Sequence, residues 1–120
     1  MKLKFLLERK IRIFDFDDTI ASTEAKVYVT SADGKKKTLT PAQYALYYHK
    51  RKKGDKFDFS DFKKVVNPKE IPQITKVMKS MIKAAGERHV VVLTARGGSY
   101  KPIRNFLKTL GLKVKVITLG

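Results

Sequence analysis

Asp15, Asp17 and Asp18 fall within five residues, Asp15-Phe16-Asp17-Asp18-Thr19, directly after a short run of Ile11, Arg12, Ile13 and Phe14. The run is β-branched and aromatic, so it reads as a buried strand. Side chains alternate along a strand, and Asp15 and Asp17 therefore project to the same side at its carboxyl end. Two carboxylates placed there attract a hard cation such as Mg²⁺. They also divide labour: one attacks an electrophile while its neighbour moves a proton. An isolated acidic cluster at a strand end is, by contrast, a solvated turn with capping character. A second strand end at the same level decides between the two.

Thr94 supplies that second end. Val90, Val91, Val92 and Leu93 lead into it as a wholly apolar strand, the pattern of a parallel sheet with helices on both faces. Arg96, Gly97, Gly98 and Ser99 follow and open a helix whose N-terminus suits a phosphate. Open α/β sheets hold their ligands at the carboxyl ends of their strands. Thr94 taken alone is a satisfied buried hydroxyl. Arg96 offers its guanidinium to a phosphate or to solvent. His49 and His89 stand isolated in the sequence, and neither is assigned to a metal.

The elements that position these residues follow from periodicity. Residues 1–10 form a strand or a helix. Residues 26–30 alternate, Asp33-Gly34 turns the chain, and Thr38 and Leu39 resume, which is a hairpin pattern. Thr40, Pro41 and Gln43 compose a helix start: cap, first-turn proline and capping-box partner. Tyr44, Tyr47 and Tyr48 share one face of that helix. Phe57, Phe59 and Phe62 follow in a loop flanked by acids. These aromatics either form a small core of their own or stack on a base, as aromatics beside basic residues do in single-strand binders. Ile71, Ile74, Val77, Met78, Met81, Ile82 and Ala85 repeat at helical spacing and stop at Gly86. Ser99 caps a further helix carrying Pro102, Ile103, Phe106, Leu107 and Leu110. Val114, Val116 and Leu119 make a third strand. Strands alternating with helices predict a parallel sheet with right-handed crossovers. The core is then residues 11–19 and 70–120, with an insert of about residues 20–69.

The totals narrow the class. A chain of 120 residues with 42% hydrophobic content folds as one domain rather than remaining disordered. It has no cysteine, which excludes disulfides and zinc–thiolate sites and suits a cytoplasmic setting. The apolar patch Leu3, Phe5, Leu6 and Leu7 is broken by Lys4 and Glu8, too short and too charged for a signal peptide or a membrane span. Lysine and arginine number 27 against 11 acids, a net charge of +16. Such a field draws phosphorylated substrates and nucleic acid, although Lys35, Lys36 and Lys37, and again Lys50, Arg51, Lys52 and Lys53, also suit solvated faces.

The strand running into Asp15-Phe16-Asp17-Asp18-Thr19 resembles the first motif of the haloacid dehalogenase (HAD) superfamily. Val91-Val92-Leu93-Thr94-Ala95-Arg96 resembles the second, in the right order and strand context. The insert segments Leu39-Thr40-Pro41-Ala42-Gln43-Tyr44 and Phe57-Asp58-Phe59-Ser60-Asp61-Phe62 look like the small cap of phage-type members. The resemblance covers most of the chain from Ile11 onward. It implies a Rossmann-like, three-layer α/β fold with a small α+β cap, and Mg²⁺-dependent hydrolysis of a phosphomonoester, a nucleotide or nucleic-acid terminus among the expected substrates. Asp15 would attack phosphorus and form an aspartyl-phosphate. Asp17 would protonate the leaving oxygen and then activate water. Asp15 and the backbone carbonyl of Asp17 would hold Mg²⁺. Thr94 would bond the transferring phosphoryl group, with Arg96, Gly97 and Asp18 about the substrate; Asp18 and Thr19 would also support the turn. Phosphoryl transfer rests on positioning and charge neutralisation, so a sparse set suffices.

The resemblance is incomplete. Superfamily members carry a motif lysine and further acids after the third strand. Here no acid follows Glu87, and Lys101, Lys108, Lys113 and Lys115 do not hold the expected position. The expectation is a fold truncated after its third strand, with the first strand left as an apolar edge. The segment containing Leu3 and Leu7, a second copy, or a complementing chain would cover it. The rival expectation is a catalytically incomplete domain that binds nucleic acid through its basic surface or depends on a partner.

Overall fold

The computed structural model describes residues 10–119. The segment containing Leu3, Phe5, Leu6 and Leu7, expected as an edge cover, lies outside the described residues. Strand β1 (Arg12–Phe14), β7 (Val90–Thr94) and β8 (Lys115–Thr118) form a parallel sheet in the order β1-β7-β8. Ile13 pairs with Val91, and Leu93 with Ile117. The apolar run of β7 makes it the central strand, because only a strand bonded on both sides removes so many β-branched residues from water. Val90, Val92 and Thr94 are buried on one face of it.

Helix α2 (Pro72–Ala85) connects the insert to β7, and helix α3 (Lys101–Thr109) connects β7 to β8. Proline at the first helical position opens each or lies in its first turn, where a missing N–H costs nothing. Met78 of α2 and Ile103 and Leu107 of α3 enter one cluster with Phe16, Val90, Val92, Val114 and Val116. Both helices therefore cover the same sheet face. The expected layers on both faces are not found among the described residues. The reason is topological: spatial order follows chain order, so crossovers of one hand bring successive helices to one side. On the sheet, Ile13 stays 62% exposed, and among the described residues β1 forms its edge.

Between β1 and α2 the chain builds a second unit. Strand β3 (Val27–Thr30) lies between β4 (Lys36–Leu39) and β5 (Lys56–Asp58), all antiparallel. Gly34, at φ 84°, lets the β3–β4 turn close. Helix α1 (Pro41–Tyr48) starts on the expected capping box: the Gln43 N–H donates to Thr40 Oγ1 at 3.1 Å, and the Thr40 N–H donates to Gln43 Oε1 at 2.9 Å. A short antiparallel pair, β2 (Ala21–Ser22) with β6 (Lys69–Glu70), closes the neck of the insert. The segment expected as a loop differs. Phe57 sits in β5 opposite Val29, and Ser60–Lys63 forms a 3-10 turn. Strand β5 has only three residues, two of them charged (Lys56 and Asp58), and carries no usable period; the free edge of β3 orders it instead. Among the described residues no helix is long and apolar enough to cross a membrane.

Candidate active site

The parallel pairing of Phe14 with Val92 brings the ends of β1 and β7 to the same edge of the sheet. Asp15 stands just past the first end and Thr94 closes the second. The Asp15 side chain is exposed, and its Oδ1 accepts the Phe16 N–H at 2.8 Å. Ion pairs among the described residues join Asp33 to Lys35 and Asp17 to Arg96, and none involves Asp15. Its charge is therefore open to an approaching ligand.

After Asp15 the backbone folds tightly around one acceptor. The N–H groups of Thr19, Ile20 and Ala21 all donate to the Phe16 carbonyl, at 3.2, 3.0 and 3.3 Å. Asp18 adopts a left-handed conformation, φ 59°, and its N–H donates to the Ala21 carbonyl at 2.8 Å. Aspartate tolerates that region better than most residues. Asp18 holds the turn with its backbone while its side chain faces solvent.

Asp17 has a partner that the sequence reading did not foresee. Arg96 donates from Nε to Asp17 Oδ2 and from Nη2 to Asp17 Oδ1, both at 2.8 Å. This is a bidentate, charge-assisted pair, the strongest geometry open to these side chains. The guanidinium is 97% removed from water in its side chain, against 73% for Asp17 (relative exposures 3% and 27%). Its Nη1 donates to the Lys64 carbonyl at 2.7 Å and more weakly to that of Phe62 at 3.4 Å. The rings of Phe16 and Phe62 lie 5.3 and 5.1 Å from the guanidinium carbon. Of the two places expected for Arg96, a phosphate or solvent, its burial excludes solvent. Its bonds to the insert carbonyls and to Asp17 satisfy it internally, and it joins the insert to the core. A clue was present in the sequence. Asp17 and Arg96 each lie a few residues beyond paired strands, where opposite charges can meet.

Thr94 is 1% exposed, and its hydroxyl accepts the Arg96 N–H at 3.2 Å. The hydroxyl hydrogen has no acceptor among the hydrogen bonds of the described residues. Gly97 and Ser99 are exposed, and Ser99 Oγ accepts the Lys101 N–H at 3.1 Å at the start of α3. The core thus brings Asp15, Asp17, Thr94 and Arg96 to one strand edge, with Asp18 on the adjoining turn.

The insert faces this edge with aromatic rings. Tyr44 meets Phe59 edge-on at 5.2 Å and Phe57 at 5.5 Å. These rings therefore pack against one another, and none of the three is buried. Tyr44, Phe59 and Phe62 also line a cleft of about 470 Å³, opposite Asp17, Arg96 and Gly97.

No three His, Asp or Glu side chains among the described residues gather as a metal site. Mg²⁺ does not require such a cage; it is held through one or two carboxylates, substrate phosphate and water. Asp15, with no counter-ion among the described residues, fits that habit. The Asp17 carboxylate does not, because Arg96 occupies both its oxygens. Comparison with known protein families, curated proteins and solved structures finds no match to this chain.

Proposed function

We propose that the chain is a HAD-like phosphohydrolase domain that uses Asp15 as its nucleophile. The observation that carries this reading is Asp15 itself: an exposed carboxylate with no ion-pair partner among the described residues, at a strand end beside that of Thr94. The Phe16 N–H on Oδ1 fixes the carboxylate and leaves its other oxygen to attack. That oxygen forms a bond to phosphorus as the ester oxygen leaves, and water later cleaves the aspartyl-phosphate to regenerate Asp15. Asp15 and the Asp17 main-chain carbonyl would hold Mg²⁺, which supplies charge neutralisation at the phosphoryl oxygens. Asp17 serves as proton donor and acceptor only by exchanging one of its two bonds to Arg96. Arg96 is in this reading a positioning residue. The substrate class is a phosphomonoester, with a nucleotide or nucleic-acid terminus as the expected members. Phosphate release from an aryl phosphate, lost in Asp15→Asn, tests the assignment; turnover surviving that change refutes it.

A second reading rests on a different observation. Lys35, Lys37, Lys50, Lys52 and Lys53 gather about one hollow of the insert and outnumber the two acids there, Asp33 and Asp55. Such a surface binds nucleic acid through phosphate contacts without chemistry. Affinity for single-stranded DNA would then fall steeply with salt, because bound counterions are released. Affinity independent of salt excludes it.

A further inference from the structure

The cleft between insert and core has a composition that selects one part of a substrate. Its insert side presents Tyr44, Phe59 and Phe62, and Phe59 remains 43% exposed despite packing edge-on against Tyr44. A phenylalanine left that open in a concave wall presents a ring face or edge to an incoming flat group. The core side presents Asp17 and Arg96, but these neutralise one another with both carboxylate oxygens engaged. The cleft therefore offers no uncommitted charge to a phosphate. Phe59 and Phe62 bring no side-chain donor or acceptor and Tyr44 brings a single hydroxyl, so most hydroxyls of a sugar or polyol buried there would go unpaired, which a binding site penalises strongly. The volume, about 470 Å³, falls within the range of small-molecule sites. Asp17 lines the cleft and stands two residues beyond Asp15, which carries the open negative charge suited to a metal-bound phosphate.

We infer that the cleft receives the planar aromatic ring of a phosphomonoester, a nucleobase or a phenyl group, while the phosphate extends to Asp15. The inference rests on the hydrolase reading for the phosphate end alone; the ring end stands on the cleft. Stacking on Phe59 and Tyr44 gives the selectivity, and it is tolerant of ring identity because every such ring has a π face.

Binding to Asp15→Asn tests the inference without turnover. Adenosine monophosphate, phenyl phosphate and glycerol 2-phosphate are titrated by calorimetry in the presence of Mg²⁺, and ring contact is read by saturation-transfer NMR with adenosine and phenol. The two aromatic esters are expected to bind about tenfold tighter than glycerol 2-phosphate, the effect of one base–aromatic contact. Phe59→Leu should erase that difference, and so should Ala95→Leu, which fills the cleft from the core side and leaves the aromatic cluster intact. Adenosine monophosphate ahead of phenyl phosphate identifies a nucleobase; the reverse order identifies an aryl group. Equal binding of all three esters, or an aromatic preference that survives both substitutions, overturns the inference. Turnover by the wild type without ring preference overturns it while leaving Asp15 as nucleophile. Saturation transfer to adenosine or phenol that both substitutions abolish, in a protein that releases no phosphate, supports the cleft and removes the hydrolase reading instead.

Discussion

Helix α2 turns Thr75 and Met78 wholly inside, whereas helix α1 buries none of its residues. The same contrast runs through the two units they belong to. The core packs Phe16, Val90, Val92, Ile103 and Leu107 in one apolar cluster. The insert buries fewer and smaller side chains, Ala25, Val27 and Val29, and otherwise relies on edge-to-face rings about Tyr44, on a capping box, and on carboxylates that accept backbone N–H groups. Burial of apolar area is the larger force, and it scales with what is removed from water. The core is thus a scaffold and the insert a lighter surface laid against it. One ion pair of the core, Asp17 with Arg96, lies at the junction, and Arg96 crosses it by donating from Nη1 to the Phe62 and Lys64 carbonyls of the insert. The contrast explains the placement of the open aromatic face. A unit that cannot bury its rings fully leaves some of them for a ligand.

Replacement of Arg96 should break the comparison most severely, since it strips both units of their link at once. Arg96→Met leaves Asp17 without a partner and is expected to cost about 3 kcal/mol, the low end for breaking a buried pair because Asp17 keeps 27% of its side chain in water. Urea unfolding of the variant measures it, and a loss below about 1 kcal/mol would mean the pair does not hold the junction. Comparable in size, Met78→Ala should cost about 2–5 kcal/mol as a core cavity, while Tyr44→Ala should cost less, about 2 kcal/mol for its contacts with Phe57 and Phe59. Equal losses would erase the distinction between the two units. Thr40→Ala is smaller, about 1 kcal/mol, and should appear as faster amide exchange confined to α1.

Acid should sharpen the comparison with the least effect. The Lys52 N–H, then the Tyr47 hydroxyl, hold the Asp55 carboxyl below its ordinary value; the Ser60 hydroxyl and N–H do the same for Asp58. Asp33 is lowered by the Ser31 hydroxyl and the Lys35 N–H. A lowered carboxyl stabilises the fold above its ordinary value and loses that contribution as pH falls through the lowered one. All three belong to the insert. Amide exchange below the ordinary aspartate range should therefore quicken in α1 and β4 before β7, and the opposite order would contradict the account.

The parts legible in the sequence were those set by local rules. Thr40, Pro41 and Gln43 specify their helix start through neighbouring atoms, and the apolar run ending at Thr94 can only be an inner strand. Gly86 ends α2 where expected, at φ 97°. What stayed hidden depends on distant partners. Strand β5 exists because β3 offers it an edge, and the burial of Arg96 depends on Asp17, 79 positions away, and on carbonyls 32 and 34 positions away. The common side of α2 and α3 follows from strand order, which periodicity does not encode. Asp15 was legible as a strand-end acid. Its lack of an ion-pair partner among the described residues, beside an Asp17 that has one, was not.

That difference between neighbouring acids is the centre of the account, and phosphate release tests it most directly. Wild-type chain and Asp15→Asn are assayed on an aryl phosphate with and without Mg²⁺. The account predicts release that requires both Mg²⁺ and Asp15. Release undiminished in Asp15→Asn, or none above that variant's background in the wild type, contradicts it.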